Sequence, residues 1–472
     1  MRLRLLSAGF LLLSGSTVAA AELKVGVAEV DITAPPGYRM SGYFSERLNT
    51  GTHDPLKAKA LYLEQGDVRA ALVFCDLIGM PVEITAKARE LAENQAEVLD
   101  ANILIAATHS HTGPLFSGVL RDYFHQRAIY QKGADPAEGI DNFIAVKSKY
   151  SLELARKLAG VVVAARSAAK PAELAAGLTE QQGLSFNRRF HMKDGTVVFN
   201  PGKLNPNIVR VAGPIDPQVG VLLARDAAKR PLGVLTVFAL HLDTVGGTEY
   251  SADYPFYLER ELRAKLGPNL VSMFGNGTCG DINHVDVTND RPQKGQEEAE
   301  RIGVALAKTV EAALPSLRPL AEPTLAVRST QVAVPLQRYS PEQFAAAEAN
   351  LPKVGTRELS FLEQVEVCKI VAVHNRAVEV LPLEVQVFRL DGQTAIVGLP
   401  GEVFVELGLA IKQASPFPTT MIVELSNDNP HYVPTQKAFA EGSYETVNSI
   451  VQSGGGEMLV DAAVKLLKEL KQ

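Results

Sequence analysis

The chain has 472 residues, of which 46% are hydrophobic and 21% are charged, and its formal net charge at pH 7 is -6. This length and composition are typical of a globular protein with one large core or two smaller ones. The acidic balance argues against a nucleic-acid-binding protein. Beyond the N-terminus, no apolar run reaches the roughly 18 to 20 residues that span a bilayer, which argues against an integral membrane protein.

The N-terminus has the pattern of a secretory signal peptide. Two arginines precede the apolar stretch Leu5–Leu13, and a run of small residues follows over Ser14–Ala21. We therefore expect residues 1–20 to be removed and the mature chain, 21–472, to be exported to the periplasm or secreted. A buried N-terminal helix is the alternative interpretation.

Strand-like and helix-like segments alternate along the mature chain. The predicted strands and helices are, in order, Ala58–Leu63, Arg69–Asp76, helix Val82–Leu99, Asn102–Ala107, helix Phe143–Ala168, Gly233–Leu240, and helices Pro255–Leu266, Gln296–Leu314, Phe344–Asn350 and Gly456–Leu470. Turns at Gly66-Asp67, Lys193–Gly195 and Asp391-Gly392 predict hairpins. The mixture predicts an α/β protein whose mixed β-sheets are flanked by helices. With no internal boundary visible, we treat 21–472 as a single large catalytic domain, although the length would permit two.

Cys75, Cys279 and Cys368 are the only cysteines in the chain. Three thiols can form at most one bridge, so a disulfide framework is excluded. Stability must therefore come from the core.

Histidines and a glutamate follow three of the apolar strands. His109 and His111 lie two residues apart after a short strand, so they face one pocket if the strand geometry persists. His241 ends another apolar strand, and Glu402 follows a Pro-Gly turn after a third. Each has a plainer interpretation: a surface histidine pair, a packed core histidine, and a glutamate that favours a helix start.

Two further polar groups follow apolar strands. The glycine-rich loop Asn276–His284 carries Asp281 and Asn283, and Ser426–Tyr432 carries Asn429 and Tyr432. Either could be an ordinary turn. Five such groups at strand ends are better explained by one shared site, because α/β folds place their sites at these ends. The residues alone therefore predict a metal-dependent hydrolase with two or more histidine ligands and one glutamate.

The chain resembles the neutral/alkaline ceramidases at these same places. The resemblance follows the order and approximate spacing of the segments Val25–Thr33, Met40–Tyr43, Cys75–Met80, Ala107–Pro114, Phe238–His241, Gly280–Asn283, Gly398–Glu402, Asn427–Tyr432 and Gly442–Glu445. It implies a zinc enzyme that hydrolyses the amide of an N-acyl lipid. It also implies that His109, His241 and Glu402 bind Zn2+, with His111 beside the substrate.

Three departures from that family stand out. Asn283 occupies the position of a serine that is essential in the family. Asn429 occupies the position of a tyrosine that is the fourth zinc ligand, where it could bind through its amide oxygen or leave the position open for water. The ceramidases carry an immunoglobulin-like domain after the catalytic one, whereas this sequence ends at Gln472. We therefore expect a stand-alone catalytic domain.

The mechanism that this resemblance implies uses metal-activated water to attack the amide carbonyl, since zinc lowers the pKa of bound water from about 15.7 towards 7. His111 and Tyr432 are candidates to stabilise the oxyanion, and Asp281 is a candidate to orient a histidine or the water.

Expected partners are a lipid amide substrate and, in addition, a peripheral membrane contact; the oligomeric state is left open. The alternatives are a metal-dependent hydrolase for another ester or amide, and a catalytically inactive binding protein, which Asn283 and Asn429 favour. Arg188 and Tyr444 are expected to be structural or solvated.

Overall fold

The computed structural model describes residues 21–130, 149–320 and 322–472. The strands of the described chain are β1 Leu23–Asp31, β2 Gly51–Thr52, β3 Lys57–Gln65, β4 Val68–Cys75, β5 Ile103–Ala107, β6 Lys170–Glu180, β7 Phe186–Asn187, β8 Arg189–Met192, β9 Val197–Phe199, β10 Ile208–Val211, β11 Gln218–Asp226, β12 Pro231–Phe238, β13 Glu249–Tyr250, β14 Val271–Asn276, β15 Ile282–Asn283, β16 Arg318–Pro319, β17 Ala326–Pro335, β18 Val380–Arg389, β19 Thr394–Gly398, β20 Glu402–Val403, β21 Thr419–Val423 and β22 Tyr432–Val433. The helices are α1 Val82–Ala96, α2 Val119–Tyr130, α3 Lys149–Ser167, α4 Tyr254–Leu266, α5 Gln296–Ala313, α6 Pro341–Asn350, α7 Phe361–Arg376, α8 Val405–Ala414, α9 Gln436–Glu441, α10 Tyr444–Val447 and α11 Gly455–Lys471.

Two mixed sheets form the centre of the described chain. The larger has the order β14-β12-β11-β6-β1-β3-β4-β5, with β16 paired to β6, and the smaller has the order β17-β18-β19-β21. Most neighbours are antiparallel, but β4–β5, β12–β14 and β19–β21 are parallel. The α/β fold with mixed sheets predicted from the sequence is therefore confirmed.

Side chains that alternate along the strands build cores on both faces of each sheet. In β4, Leu72 and Phe74 pack against Phe388 and Ile396 of the smaller sheet, which makes the core between the two sheets. The neighbouring side chains of β4 point the other way, into a core closed by α1 and α3. Helices α4 and α5 cover the same outer face further along, and α8 and α11 cover the smaller sheet. The fold is a four-layer arrangement of helix, sheet, sheet and helix.

Most predicted elements are found close to their predicted bounds, and the differences have local causes. Helix α1 ends at Ala96 because Glu97 adopts a left-handed conformation with φ 48°. Helix α6 begins earlier than predicted, where Ser340 and Gln343 form a capping box. The first residues of the helix predicted over Phe143–Ala168 and all of the predicted signal peptide lie outside the described residues.

Helix α7 was not predicted from the sequence. Its buried side chains include Val365, Ile370 and Val371, and β-branched residues at such density favour strand over helix. A capping box between Ser360 and Glu363 nevertheless starts the helix. No helix in the described part of the chain has the length and apolar character needed to cross a bilayer.

The parallel strand pairs position the site. Strands β5, β12, β14, β19 and β21 all end near one another, and isolated bridges Ala106–Ser426 and Ser110–Leu242 join the segments that follow them. Polar residues placed just after these strands are therefore brought together from distant parts of the chain.

A buried ion-pair cluster ties α4 to the larger sheet and gives the fold a pH dependence. Glu259 accepts hydrogen bonds from Lys59 and from Lys57 Nζ, the latter at 2.9 Å. Burial alone would raise the pKa of Glu259, but Lys59 and Lys57 outweigh it and lower this pKa to about 2. Because the folded-state pKa is depressed, the stabilisation is present above pH 4.5 and is lost as pH falls towards 2.

Replacement of Glu259 by Gln should lower the free energy of unfolding at pH 7 by about 3 kcal/mol, since it leaves Lys59 buried without its counter-ion. The loss should shrink as the pH falls towards 3, which urea unfolding at several pH values measures. Glu261→Gln is the matched control, because the pair between Glu261 and Arg260 is largely exposed and contributes under about 1 kcal/mol. Equal losses in both variants, or a loss that does not depend on pH, would contradict this role of Glu259.

Candidate active site

Two buried histidines are held by backbone carbonyls. The Nδ1 atom of His109 lies 2.7 Å from the carbonyl oxygen of Ile78, and that of His241 lies 3.0 Å from the carbonyl oxygen of Cys279. A carbonyl oxygen can only accept, so Nδ1 carries the proton in each ring and Nε2 keeps its lone pair. His109 also has φ 80°, a strained conformation of the kind that clusters at functional sites.

The free nitrogens of these two rings face each other. His109 Nε2 lies 3.0 Å from His241 Nε2, although neither has a proton to share. Glu402 Oε2 lies 3.3 Å from His109 Nε2 and 3.5 Å from His241 Nε2. This oxygen is buried and has no hydrogen-bond partner among the described residues. Three electron-pair donors at these separations need a cation between them.

The spacing of the donors fits a tetrahedral metal ion. Metal–nitrogen and metal–oxygen bonds of about 2.0 to 2.1 Å place tetrahedral ligands about 3.3 Å apart, and the three observed separations of 3.0, 3.3 and 3.5 Å bracket that value. His109, His241 and Glu402 could therefore hold a metal ion. His111 brings a third imidazole to the group, with its Nε2 3.3 Å from His109 Nε2. The three histidines offer ligand atoms within 4.8 Å of one another.

The electrostatics of the cluster keep its donors available. Burial alone would raise the pKa of Glu402, but the neighbouring His109 and His241 outweigh it and hold this pKa well below its ordinary value. Burial, assisted by His109, lowers the pKa of His111 to about 3. Glu402 is therefore ionised and His111 neutral at pH 7, the states in which each is an electron-pair donor.

Arg188, which was expected to be structural or solvated, lies beside the cluster. It is buried, and its Nη1 lies 3.3 Å from His241 Nε2, while its Nη2 donates to the Tyr432 hydroxyl at 3.0 Å. Glu445 Oε1 accepts from Arg188 Nε at 2.8 Å and fixes the guanidinium. The neighbouring Tyr444 packs edge-on against Tyr432, with ring centroids 5.4 Å apart. In the sequence, the only signals for these positions beside the cluster are the adjacent residues Arg188-Arg189 and Tyr444-Glu445.

Tyr432 lies beside the metal-type cluster, and Asn429 lies in the turn that precedes it. Strand pairing sets Tyr432 opposite Glu402. Asn429 Oδ1, the atom predicted to bind a metal, instead accepts from the backbone N–H of His431 at 3.1 Å. In the described structure this oxygen closes a turn, and the role of Asn429 as a ligand stays a prediction.

Asp281 and Asn283, both predicted as catalytic, make contacts that hold their loop. Asn283 donates to Asn200 Oδ1 at 2.9 Å and accepts from the backbone N–H of Val285 at 3.0 Å. Both of its polar groups are thus engaged in loop contacts. Asp281 accepts from the backbone N–H of Val405 at 2.9 Å and from Asn187 Nδ2 at 2.6 Å. Since carbonyls occupy the Nδ1 atoms of His109 and His241, Asp281 does not bond to either ring there, and the bond to the water stays a prediction.

Glu424 is a second residue that sequence reasoning missed. This fully buried carboxyl accepts from the backbone N–H of Val403 at 2.7 Å and of Cys279 at 3.1 Å, and the Cys279 thiol lies 3.0 Å from its other oxygen. It therefore joins the loop whose Cys279 carbonyl holds His241 to the strand that carries Glu402. A single glutamate after an apolar strand gives no motif that could have revealed this.

Replacement of Glu424 by Ala should lower metal affinity about 10- to 100-fold, because it releases the two segments that space His241 and Glu402. It should also lower the free energy of unfolding by roughly 2 to 4 kcal/mol, since buried N–H groups lose their acceptor. Glu424→Gln, which keeps an acceptor oxygen, is the control and should lose less of both. Competition with a chromogenic chelator and urea unfolding measure the two quantities; an Ala variant with unchanged metal affinity would contradict this role.

These features define a class of protein: a mixed α/β fold of four layers with a buried His-His-Glu cluster where the strand ends meet. Comparison with known proteins gives the particular relationship. No family model matches the chain. The neutral ceramidase of Pseudomonas aeruginosa is 24% identical over 273 residues, which are 55% of this chain and 36% of that protein. Neutral ceramidase B of Dictyostelium discoideum is 24% identical over 275 residues, which are 55% of this chain and 35% of that protein.

Solved structures agree with the sequence matches. The crystal structure of the Pseudomonas aeruginosa neutral ceramidase has a TM-score of 0.70 at 19% identity and covers 95% of this chain and 75% of its own. A ceramidase complexed with C2 has a TM-score of 0.67 at 20% identity, with 95% and 76% covered. The chain is therefore related to the neutral ceramidase family, as its motifs predicted. The sequence matches span about a third of the length of those curated relatives.

Proposed function

We propose that the protein is a zinc-dependent hydrolase that cleaves the amide bond of an N-acyl, ceramide-like lipid. The observation that carries the proposal is the convergence of His109, His241 and Glu402, whose three donor atoms lie 3.0 to 3.5 Å apart with Glu402 Oε2 buried and unpaired. Nitrogen and carboxylate ligands in a three-residue set are typical of catalytic zinc sites. The relationship to neutral ceramidases supports amide hydrolysis as the reaction.

Zinc held by these residues would supply a water of lowered pKa and polarise the amide carbonyl. The chain's own residues complete the site. Arg188 and Tyr432 offer hydrogen-bond donors beside the cluster, where negative charge develops on the carbonyl oxygen in the transition state. Glu445 holds Arg188 in place, so that its donors need no reorganisation during the reaction. His111 borders the cluster and is partly exposed, which suits a residue beside the substrate.

A connected run of aromatic rings supports a lipid substrate. From Tyr432 at the cluster the run continues through Tyr444 to Phe199 and Phe361, with centroids 4.6 Å apart for Phe199–Tyr444 and 5.3 Å for Phe361–Tyr444. Phe44 packs on Phe361 at 5.8 Å. Phe361 and its neighbour Leu362 are substantially exposed. Such a surface is suited to an apolar chain and supports a peripheral contact with a membrane.

The pattern of residues 1–20 supports export to the periplasm or the medium.

The test is release of fatty acid from N-acyl lipids by the purified mature protein. We expect hydrolysis that a chelator abolishes, that added zinc restores, and that rises with the length of the acyl chain. Amides and esters of matched chain length distinguish an amidase from a general esterase. Stoichiometric zinc without cleavage of any amide would contradict the proposal and favour a binding protein.

A further inference from the structure

A buried ion pair beside the metal-type cluster has no part in the function proposed above. His284 Nδ1 lies 3.0 Å from Asp243 Oδ1. His284 belongs to the same loop as Asn283, but Asn283 contacts Asn200 whereas His284 contacts Asp243, two residues after His241. The loop thus presents a charged pair next to the cluster.

Hydrogen bonding fixes His284 as a cation. Its Nδ1 faces a carboxylate oxygen, and its Nε2 lies 2.7 Å from the backbone carbonyl oxygen of Gln293. Both partners can only accept, so both ring nitrogens carry protons. Burial alone would lower the pKa of His284, but Asp243 outweighs it and the pKa is raised. With both nitrogens engaged, His284 has no lone pair for base or ligand chemistry, and its role is to hold Asp243.

The backbone places Asp243 next to His111. Leu242 pairs with Ser110, and its carbonyl oxygen accepts from the backbone N–H of His111 at 3.1 Å. Among the described residues, Asp243 Oδ2 has no hydrogen-bond partner, and 21% of the side chain is exposed. Asp243 Oδ2 is therefore available for a further hydrogen bond next to His111.

We propose that Asp243, held by His284, contacts the substrate and accepts a hydrogen bond from its amide N–H. This inference rests on the proposed hydrolase function and deepens it. An amide has both an acceptor oxygen and a donor N–H. Arg188 and Tyr432 are donors suited to the oxygen, and Asp243 is an acceptor suited to the N–H. An ester has the acceptor oxygen but lacks the N–H donor, so Asp243 selects amides over esters. The Asp243 carboxylate also suits the ammonium group of the released amine.

The experiment compares kcat/KM for an N-acyl amide and the O-acyl ester of the same chain and headgroup. In Asp243→Asn, His284 still binds the side-chain oxygen, so an NH2 donor takes the place of the free oxygen and opposes the amide N–H. We expect kcat/KM to fall about 10- to 100-fold for the amide and less than about 3-fold for the ester. Zinc content should stay unchanged, and Tm should fall because the buried His284 loses the negative charge of its partner, so both substrates are compared at a temperature well below the Tm of the variant. Asp290→Asn, an exposed change in the same loop, is the matched control and should alter neither substrate.

His284→Gln keeps one donor to Asp243 and should give a smaller loss that is again confined to the amide. Equal losses on amide and ester, or no loss on the amide, would overturn the proposal. If the wild-type protein cleaves neither bond, the hydrolase proposal fails, and binding of decylamine and decanol then decides on Asp243. If Asp243→Asn binds decylamine more weakly than the wild type does but binds decanol equally well, the contact is supported. If the variant binds decylamine as well as the wild type, or if the wild type does not bind decylamine, the proposal is overturned.

Discussion

Replacement of His241 by Ala is expected to lower zinc affinity by about 100- to 1,000-fold, so that the purified variant contains little zinc. His241 is fully buried, and its Nε2 is 3.0 Å from His109 Nε2 and 3.5 Å from Glu402 Oε2. A structural zinc site is worth roughly 10 to 16 kcal/mol over its ligands, so the loss of one ligand removes several kcal/mol. Hydrolysis should be lost together with the metal.

The control for this variant is His374→Ala, because His374 is exposed and stacks on Phe344 far from the cluster. It should keep full zinc content and activity. Circular dichroism and thermal unfolding of the metal-free proteins show whether the His241 variant is folded. A folded variant that retains stoichiometric zinc would contradict the assignment of His241 as a ligand.

The second large effect is expected for Arg188. Its guanidinium is buried and contacts His241, Tyr432, Gly280 and Glu445. Arg188→Met should lower the free energy of unfolding by about 3 kcal/mol, because Glu445, which is fully buried, then keeps only the longer contact with Arg189 at 3.7 Å. It should also lower kcat about 100- to 1,000-fold, as expected when a donor to a developing oxyanion is removed.

A double variant separates the two effects. Arg188→Met with Glu445→Leu removes both charges, so stability should return towards that of the wild type. Catalysis should not return, because the donor is still absent. Urea unfolding measures the first quantity and steady-state kinetics the second. Recovery of activity together with stability would show that Arg188 acts only in folding and not on the substrate.

The elements that could be predicted from the sequence are those with strong local patterns. Apolar strands followed at once by His109, His241 or Glu402 indicated a shared site, because parallel strand ends converge. The hairpin at Lys193–Gly195 and the helix at α5 were likewise predicted by turn chemistry and by apolar periodicity.

The remaining features depend on contacts between distant residues. Glu424 reaches Cys279 across 145 positions, and Arg188 reaches Tyr432 across 244. No local pattern encodes such contacts. The position of Tyr432 opposite Glu402 depends on a turn in which Asn427 and His431 have positive φ, and this geometry cannot be inferred from residue spacing.

The most direct test of the central claim is to locate the metal in crystals of the wild-type protein by anomalous scattering at the zinc absorption edge. We expect one peak, about 2.0 to 2.1 Å from the Nε2 atoms of His109 and His241 and about 2.0 to 2.2 Å from a Glu402 oxygen. An absent peak, or a peak at a site that does not include His241 and Glu402, would contradict it.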